Sequence, residues 1–124
     1  MSQAIQPDFA YSHRERENVL VQDLTDWSGE TDGMNEVERD WLSRAEQSQI
    51  TATITEFSAD IQLGRETQNH LAKEWSENAA KANIEKIAFV SEGIKARAVS
   101  ANLDVPQEIK TFKTTEAAVE WARE

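Results

Sequence analysis

Cysteine is absent from the 124-residue chain, which excludes disulfides, thiol catalysis and zinc sites built on thiolates. Histidine is scarce: His13 and His70 are the two present, and they lie far apart in unlike contexts, a poor basis for a transition-metal centre. Basic residues are outnumbered, 13 Lys and Arg against 23 Asp and Glu, for a formal net charge of −10. Such a surface repels phosphate backbones and anionic membranes, so neither nucleic acid nor membrane is expected as a partner. The acidity serves solubility or, alternatively, offers a docking face to a basic protein. No apolar run approaches bilayer-spanning length, and residues 1–7 hold neither the basic nor the apolar segment of an export signal, so a cytoplasmic protein is expected. Repeats, low-complexity tracts and interdomain linkers are missing as well. One domain over residues 18–124 is expected, after an N-terminal segment at 1–17.

What is present is strand and amphipathic helix in alternation. The chain is organised around residues 84–93, where Ile87-Ala88-Phe89-Val90 has no polar break and runs toward a helix. A run apolar on both faces is expected to be an interior strand, covered on both sides. Residues 19–24 read as another buried strand, ending in a turn-rich stretch that contains Gly29 and Gly33. Met34, Val37, Trp41, Leu42 and Ala45 then recur at helical spacing over 34–47. Residues 50–57 alternate apolar side chains with Thr51, Thr53 and Thr55, which sets one face nearer solvent and the strand toward an edge of the sheet. Leu71, Trp75, Ala79 and Ala82 mark the longest helix. Gly64 delays its start, and Asn83, tolerant of the left-handed conformation, ends it. A helix over 94–103 carries Ala96, Val99 and Leu103 on one face and is broken by Pro106. Ile109 and Phe112 belong to a short strand, and Thr114 or Thr115 caps a last helix over 116–123 that packs Ala118, Trp121 and Ala122. At the front, Phe9 and Tyr11 alternate as a short edge strand would. The pattern is that of an α/β fold with a mainly parallel four- to five-stranded sheet and alternating helices.

Three stretches carry a family resemblance: the strand at 19–24 that closes on Asp23-Leu24, the Trp75 helix leading to Ile87-Ala88-Phe89-Val90, and the ending Ile109-Lys110-Thr111-Phe112-Lys113-Thr114-Thr115-Glu116-Ala117-Ala118-Val119-Glu120-Trp121. Together they resemble the SpoIIAA-like, or STAS-like, family over residues 18–124. There a strand ending in Phe leads through a short turn to a terminal helix with an Ala-x-x-Trp pattern. The resemblance implies a small non-enzymatic domain that acts through protein partners or holds a small apolar or nucleotide-like ligand. In the anti-sigma-factor antagonist branch, the loop after the Asp-Leu strand contains Asp-Ser-Ser-Gly, and a serine there is phosphorylated to switch binding. Alignment on the glycine before the helix puts Asp32 of Glu30-Thr31-Asp32-Gly33 at that serine's place, and aspartate does not accept phosphate from a serine kinase. Asp26-Trp27-Ser28-Gly29 looks more like the motif but sits closer to the strand end.

Asp23, Asp26, Glu30 and Asp32 gather at the carboxyl end of the first strand, where open α/β sheets place ligands. Such oxygens suit a hard cation, yet acids also favour helix N-termini by opposing the macrodipole, and that is the expectation here. Ser28, Gly29 and Gly33 come without the lysine of a phosphate-binding loop or the three glycines of a dinucleotide fingerprint. His70 is expected on a helix surface. Trp41, Trp75 and Trp121 fall on helical stripes and are expected in the core. Trp27 sits in a polar loop, where it either lines a pocket mouth or partner surface or caps the core beneath; both readings stay open.

The expected function follows: a non-enzymatic domain acting through protein–protein interaction, without cofactor or metal. It is expected to form a homodimer through an uncovered sheet edge, such as residues 50–57, or through a helix face. Trp27, Ser28, Thr31, Asp32 and Gly93 are the candidate ligand or partner surface. The alternative is a carrier or sensor of a small apolar or nucleotide-like ligand, held between Trp27 and the helix that starts near Gly93.

Overall fold

Strand periodicity sorts the apolar side chains of this sequence into two unequal layers. In the computed structural model, which describes residues 9–92 and 95–124, the strands are β1 (Ser12–Arg16), β2 (Val19–Leu24), β3 (Ala52–Phe57), β4 (Lys86–Val90) and β5 (Glu108–Phe112). They form one five-stranded sheet in the order β1-β2-β3-β4-β5. β1 pairs antiparallel with β2, and each later pair is parallel. α1 (Met34–Ala45), α2 (Arg65–Lys81), α3 (Lys95–Asn102) and α4 (Thr115–Ala122) alternate with the parallel strands. The expected α/β class, a mainly parallel sheet with alternating helices, is what the chain forms.

Successive residues of a strand point to opposite faces. Leu20, Leu24, Phe57, Ile87 and Phe89 therefore pack with Met34, Val37, Leu71, Ala79 and Val99 of α1, α2 and α3. Val19, Val21, Ile54, Ala88 and Val90 pack with Ala118, Val119, Trp121 and Ala122 of α4. Three helices cover one face and α4 covers the other. Ile87-Ala88-Phe89-Val90 feeds both layers, which is the physical reason for its unbroken apolar run. Thr114 caps α4 by accepting a hydrogen bond from Ala117 N, and α2 begins directly after Gly64.

Residues 50–57 prove central rather than peripheral, because β3 is hydrogen-bonded to β2 on one side and β4 on the other. The threonines mislead: Thr53 and Thr55 are 2 % and 3 % exposed and face the three-helix layer across a polar seam, not solvent. The strand at the front edge is Ser12–Arg16 rather than the Phe9 and Tyr11 pair. Those two rings pack against the three-helix core, while Arg14 and Arg16 on the edge are held by Glu56 and Glu116. α2 closes at Lys81 with Ala82 already extended, and Asn83 does not take the left-handed conformation. Buried Ala82 and Ile84 draw the chain straight toward β4 instead. Gly93 and the first residue expected of the following helix lie outside the described residues.

Candidate functional site

The loop from β2 to α1 is folded around Trp27. Its indole is 2 % exposed and donates through Nε1 to Glu30 O at 2.7 Å. The ring lies 6.1 Å from Phe57, 6.4 Å from Phe9 and 6.5 Å from Trp75, centroid to centroid. Of its two open readings, the core cap is the one the structure realises. Gly29 pins the same loop to the segment before α2: at φ 107°, a Cβ there would lie 1.8 Å from Gln62 O. Gly29 O also accepts from Thr67 Oγ1 at 2.6 Å, and Ser28 O accepts from Gln62 N at 3.0 Å. Trp27, Ser28, Thr31 and Asp32 thus share one loop, with Trp27 turned inward and Ser28 and Asp32 exposed. Gly93, the fifth candidate, is outside the described residues. The acids brace backbone: Asp23 Oδ1 accepts from Thr25 N at 2.9 Å, and Asp26 Oδ2 from Ala10 N at 2.8 Å. Among the described residues no three His, Asp or Glu side chains are grouped to hold a metal ion.

At the carboxyl ends of β2, β3 and β4 lies an open groove of about 460 Å³ whose walls include Asp23, Glu56, Ser58, Ser91 and Lys113. Two of its charges, Arg14 and Glu56, are matched to each other. Arg14 donates to both oxygens of Glu56 at 3.3 and 3.0 Å, and Thr115 Oγ1 donates to Glu56 Oε2.

A second site lies between α1, α2 and the sheet, a cavity of about 30 Å³. Gln22, Thr53 and Thr55 form its polar floor; Glu38, Trp41 and Trp75 stand above, with Phe89 and Leu103 beside them. Glu38 is only 6 % exposed. Its Oε2 accepts from Trp75 Nε1 at 2.8 Å and lies 2.7 Å from His70 Nε2. Burial pushes the Glu38 carboxyl pKa up, with His70 opposing. Across the floor, Gln22 Nε2 donates to Thr55 Oγ1 at 3.4 Å and Gln22 Oε1 lies 2.9 Å from His13 Nε2. Burial lowers the His13 pKa, and its Nδ1 lies 3.7 Å from Asp40 Oδ2. Both histidines therefore meet carboxylates of α1, one on each flank of the helix.

Trp121 is core, as its spacing implies, whereas Trp41 and Trp75 are only partly buried against the core and line the cavity. His70 is partly exposed, as expected, yet it is tied to a buried acid. Glu38 itself is the residue that sequence reasoning missed. Its signal was available: Met34, Glu38, Trp41 and Ala45 share the inward stripe of α1, where a lone acid demands a partner. Comparisons of the chain with protein-family models, curated proteins and solved structures return no match.

Proposed function

We propose that this chain is a non-catalytic α/β module that binds a basic protein partner on the layer formed by α1, α2 and α3. The observation that carries the reading is the pair Trp41 and Trp75, partly exposed indoles on two helices that line one cavity, on a chain of formal net charge −10. Tryptophan is enriched at docking sites because it contributes large contact area at low entropic cost. The acid surplus favours a cationic partner and speeds its encounter. Action through protein partners is also what the SpoIIAA-like resemblance implies, although Asp32 leaves its phosphorylation switch without a serine. The carrier alternative has less support. Pockets for nucleotide-sized ligands measure roughly 300–1,000 Å³, whereas the apolar-walled cavity is about 30 Å³ and the larger groove is open with its arginine already paired.

Self-association is the second reading, and it moves from residues 50–57 to β5, which ends the sheet and has no strand beyond it among the described residues. A terminal strand offers unpaired backbone groups to another chain. Light scattering that gives the monomer mass at high concentration would remove it.

The test of the main reading compares immobilised wild type, Trp41→Ala and Lys113→Ala in capture from a cell extract. A basic protein retained by wild type and Lys113→Ala but lost with Trp41→Ala is the expected result. Retention that is equal in all three, or lost only with Lys113→Ala, contradicts the reading and shifts attention to the groove.

A further inference from the structure

A docking surface built on two tryptophans does not need a buried carboxylate beneath them, and here there is one. We propose that the cavity between α1, α2 and the sheet receives the ammonium head of a lysine side chain from the basic partner, with Glu38 as its counter-ion. The inference rests on the interaction reading above and specifies what the partner presents.

Charge is the first argument. Glu38 is 6 % exposed, and the side chains that line the cavity with it include neither lysine nor arginine. Oε2 is engaged by Trp75 and His70, while Oε1 takes no hydrogen bond from the described residues. Burial strips solvent from this carboxyl group, and a cation arriving at Oε1 supplies what desolvation withholds.

Acceptor count is the second. An ammonium carries three donors and no acceptor. Glu38 Oε1 takes one. Thr53, a residue 2 % exposed, also lines the cavity; its hydroxyl has no hydrogen-bond partner among the described residues and takes another. Asn78 and Thr55 supply further oxygens on the same walls.

Size and wall chemistry complete the fit. A water-sized group needs at least about 10–15 Å³ of such space, so a cavity of about 30 Å³ takes two heavy atoms, the terminal CH₂–NH₃⁺ of lysine, and is too narrow for the broad plane of a guanidinium. Trp41, Trp75 and Phe89 bring aromatic rings to the site, which attract a cation through their quadrupoles. Val37 and Leu103 suit the methylene stem.

The test is a titration of ¹⁵N-labelled protein with methylammonium chloride against sodium chloride at matched ionic strength, read from the indole N–H resonances. Saturable shifts of Trp41 and Trp75 with methylammonium alone, and none of Trp121, are expected. Glu38→Gln, which keeps an acceptor for Trp75, is expected to weaken the binding about tenfold or more. Thr53→Val, which removes a hydroxyl that makes no hydrogen bond among the described residues, is expected to weaken it about threefold and keeps the test available should Glu38→Gln not fold. Shifts that match those of sodium chloride, or an unchanged response in both variants, overturn the proposal and leave a water-filled cavity. If methylammonium fails to bind while Trp41→Ala still releases the partner, the ammonium pocket falls and the interaction reading stands. If methylammonium binds while Trp41→Ala releases no partner, the lysine source is overturned and a free alkylammonium is the ligand.

Discussion

Replacing Trp27 by alanine removes an indole that is 2 % exposed and hydrogen-bonded to Glu30 O at 2.7 Å. A buried tryptophan hides roughly 200 Å² of surface, so at about 25 cal/mol per Å² the gross transfer term is about 5 kcal/mol. Alanine keeps only the methyl share of that. Large-to-alanine changes at aromatic core positions lie at about 3–5 kcal/mol. The Glu30 carbonyl belongs to an exposed residue and can turn to water, so losing the indole donor adds about 1 kcal/mol at most. A loss of about 4 kcal/mol is therefore expected for Trp27→Ala. Trp27→Phe keeps a ring against Phe9 and Phe57 and is expected to lose about 1–2 kcal/mol. Urea unfolding followed by far-ultraviolet circular dichroism measures both, since that signal does not depend on which tryptophans remain. A loss below about 1 kcal/mol for Trp27→Ala would refute the placement of this indole in the core, because surface substitutions fall in that range.

Gly29→Ala is expected to lose at least about 2 kcal/mol in the same assay, because the added Cβ would lie 1.8 Å from Gln62 O at a φ of 107°; a neutral outcome would mean that the loop is not clamped to the α2 segment. His13 has its folded pKa lowered from the ordinary 6.5, first by burial. The unfolded chain takes up this proton first, so the contribution is present above 6.5 and is lost as pH falls toward the folded value. The urea midpoint of His13→Asn is expected to fall less than that of wild type between about pH 7 and about pH 5.5, and equal falls would count against a buried neutral imidazole. Thr53→Val is expected to hold or raise stability, since a hydroxyl without a hydrogen-bond partner among the described residues is removed from a buried position; a loss above about 1 kcal/mol would show that the hydroxyl is hydrogen-bonded in the fold.

The layers were legible where periodicity is unambiguous. Ile87-Ala88-Phe89-Val90 could only sit between two covered faces, and it does, sending Phe89 to the three-helix layer and Ala88 and Val90 to α4. Strand order was not legible at residues 50–57, because threonine suits a solvent-facing strand and an internal polar seam equally well. Only the neighbours decide, and here Gln22 reaches Thr55 from β2. The edge strand at Ser12–Arg16 was hidden by its charge, since Arg14 and Arg16 find their acids 42 and 100 residues away in sequence. The same limit applies to the candidate site. Glu38 on the apolar stripe of α1 is visible in the sequence as an anomaly, but its partners His70 and Trp75 come from α2, and their meeting is a product of helix packing.

The most direct test of a cation-binding aromatic face is the dissociation constant of the recovered basic partner, measured calorimetrically for wild type and Trp41→Ala at low and at raised salt. The expected result is a loss of about tenfold or more in the variant, together with wild-type binding that weakens as salt screens the acidic surface. Equal constants for the two proteins, or wild-type affinity indifferent to salt, would contradict it.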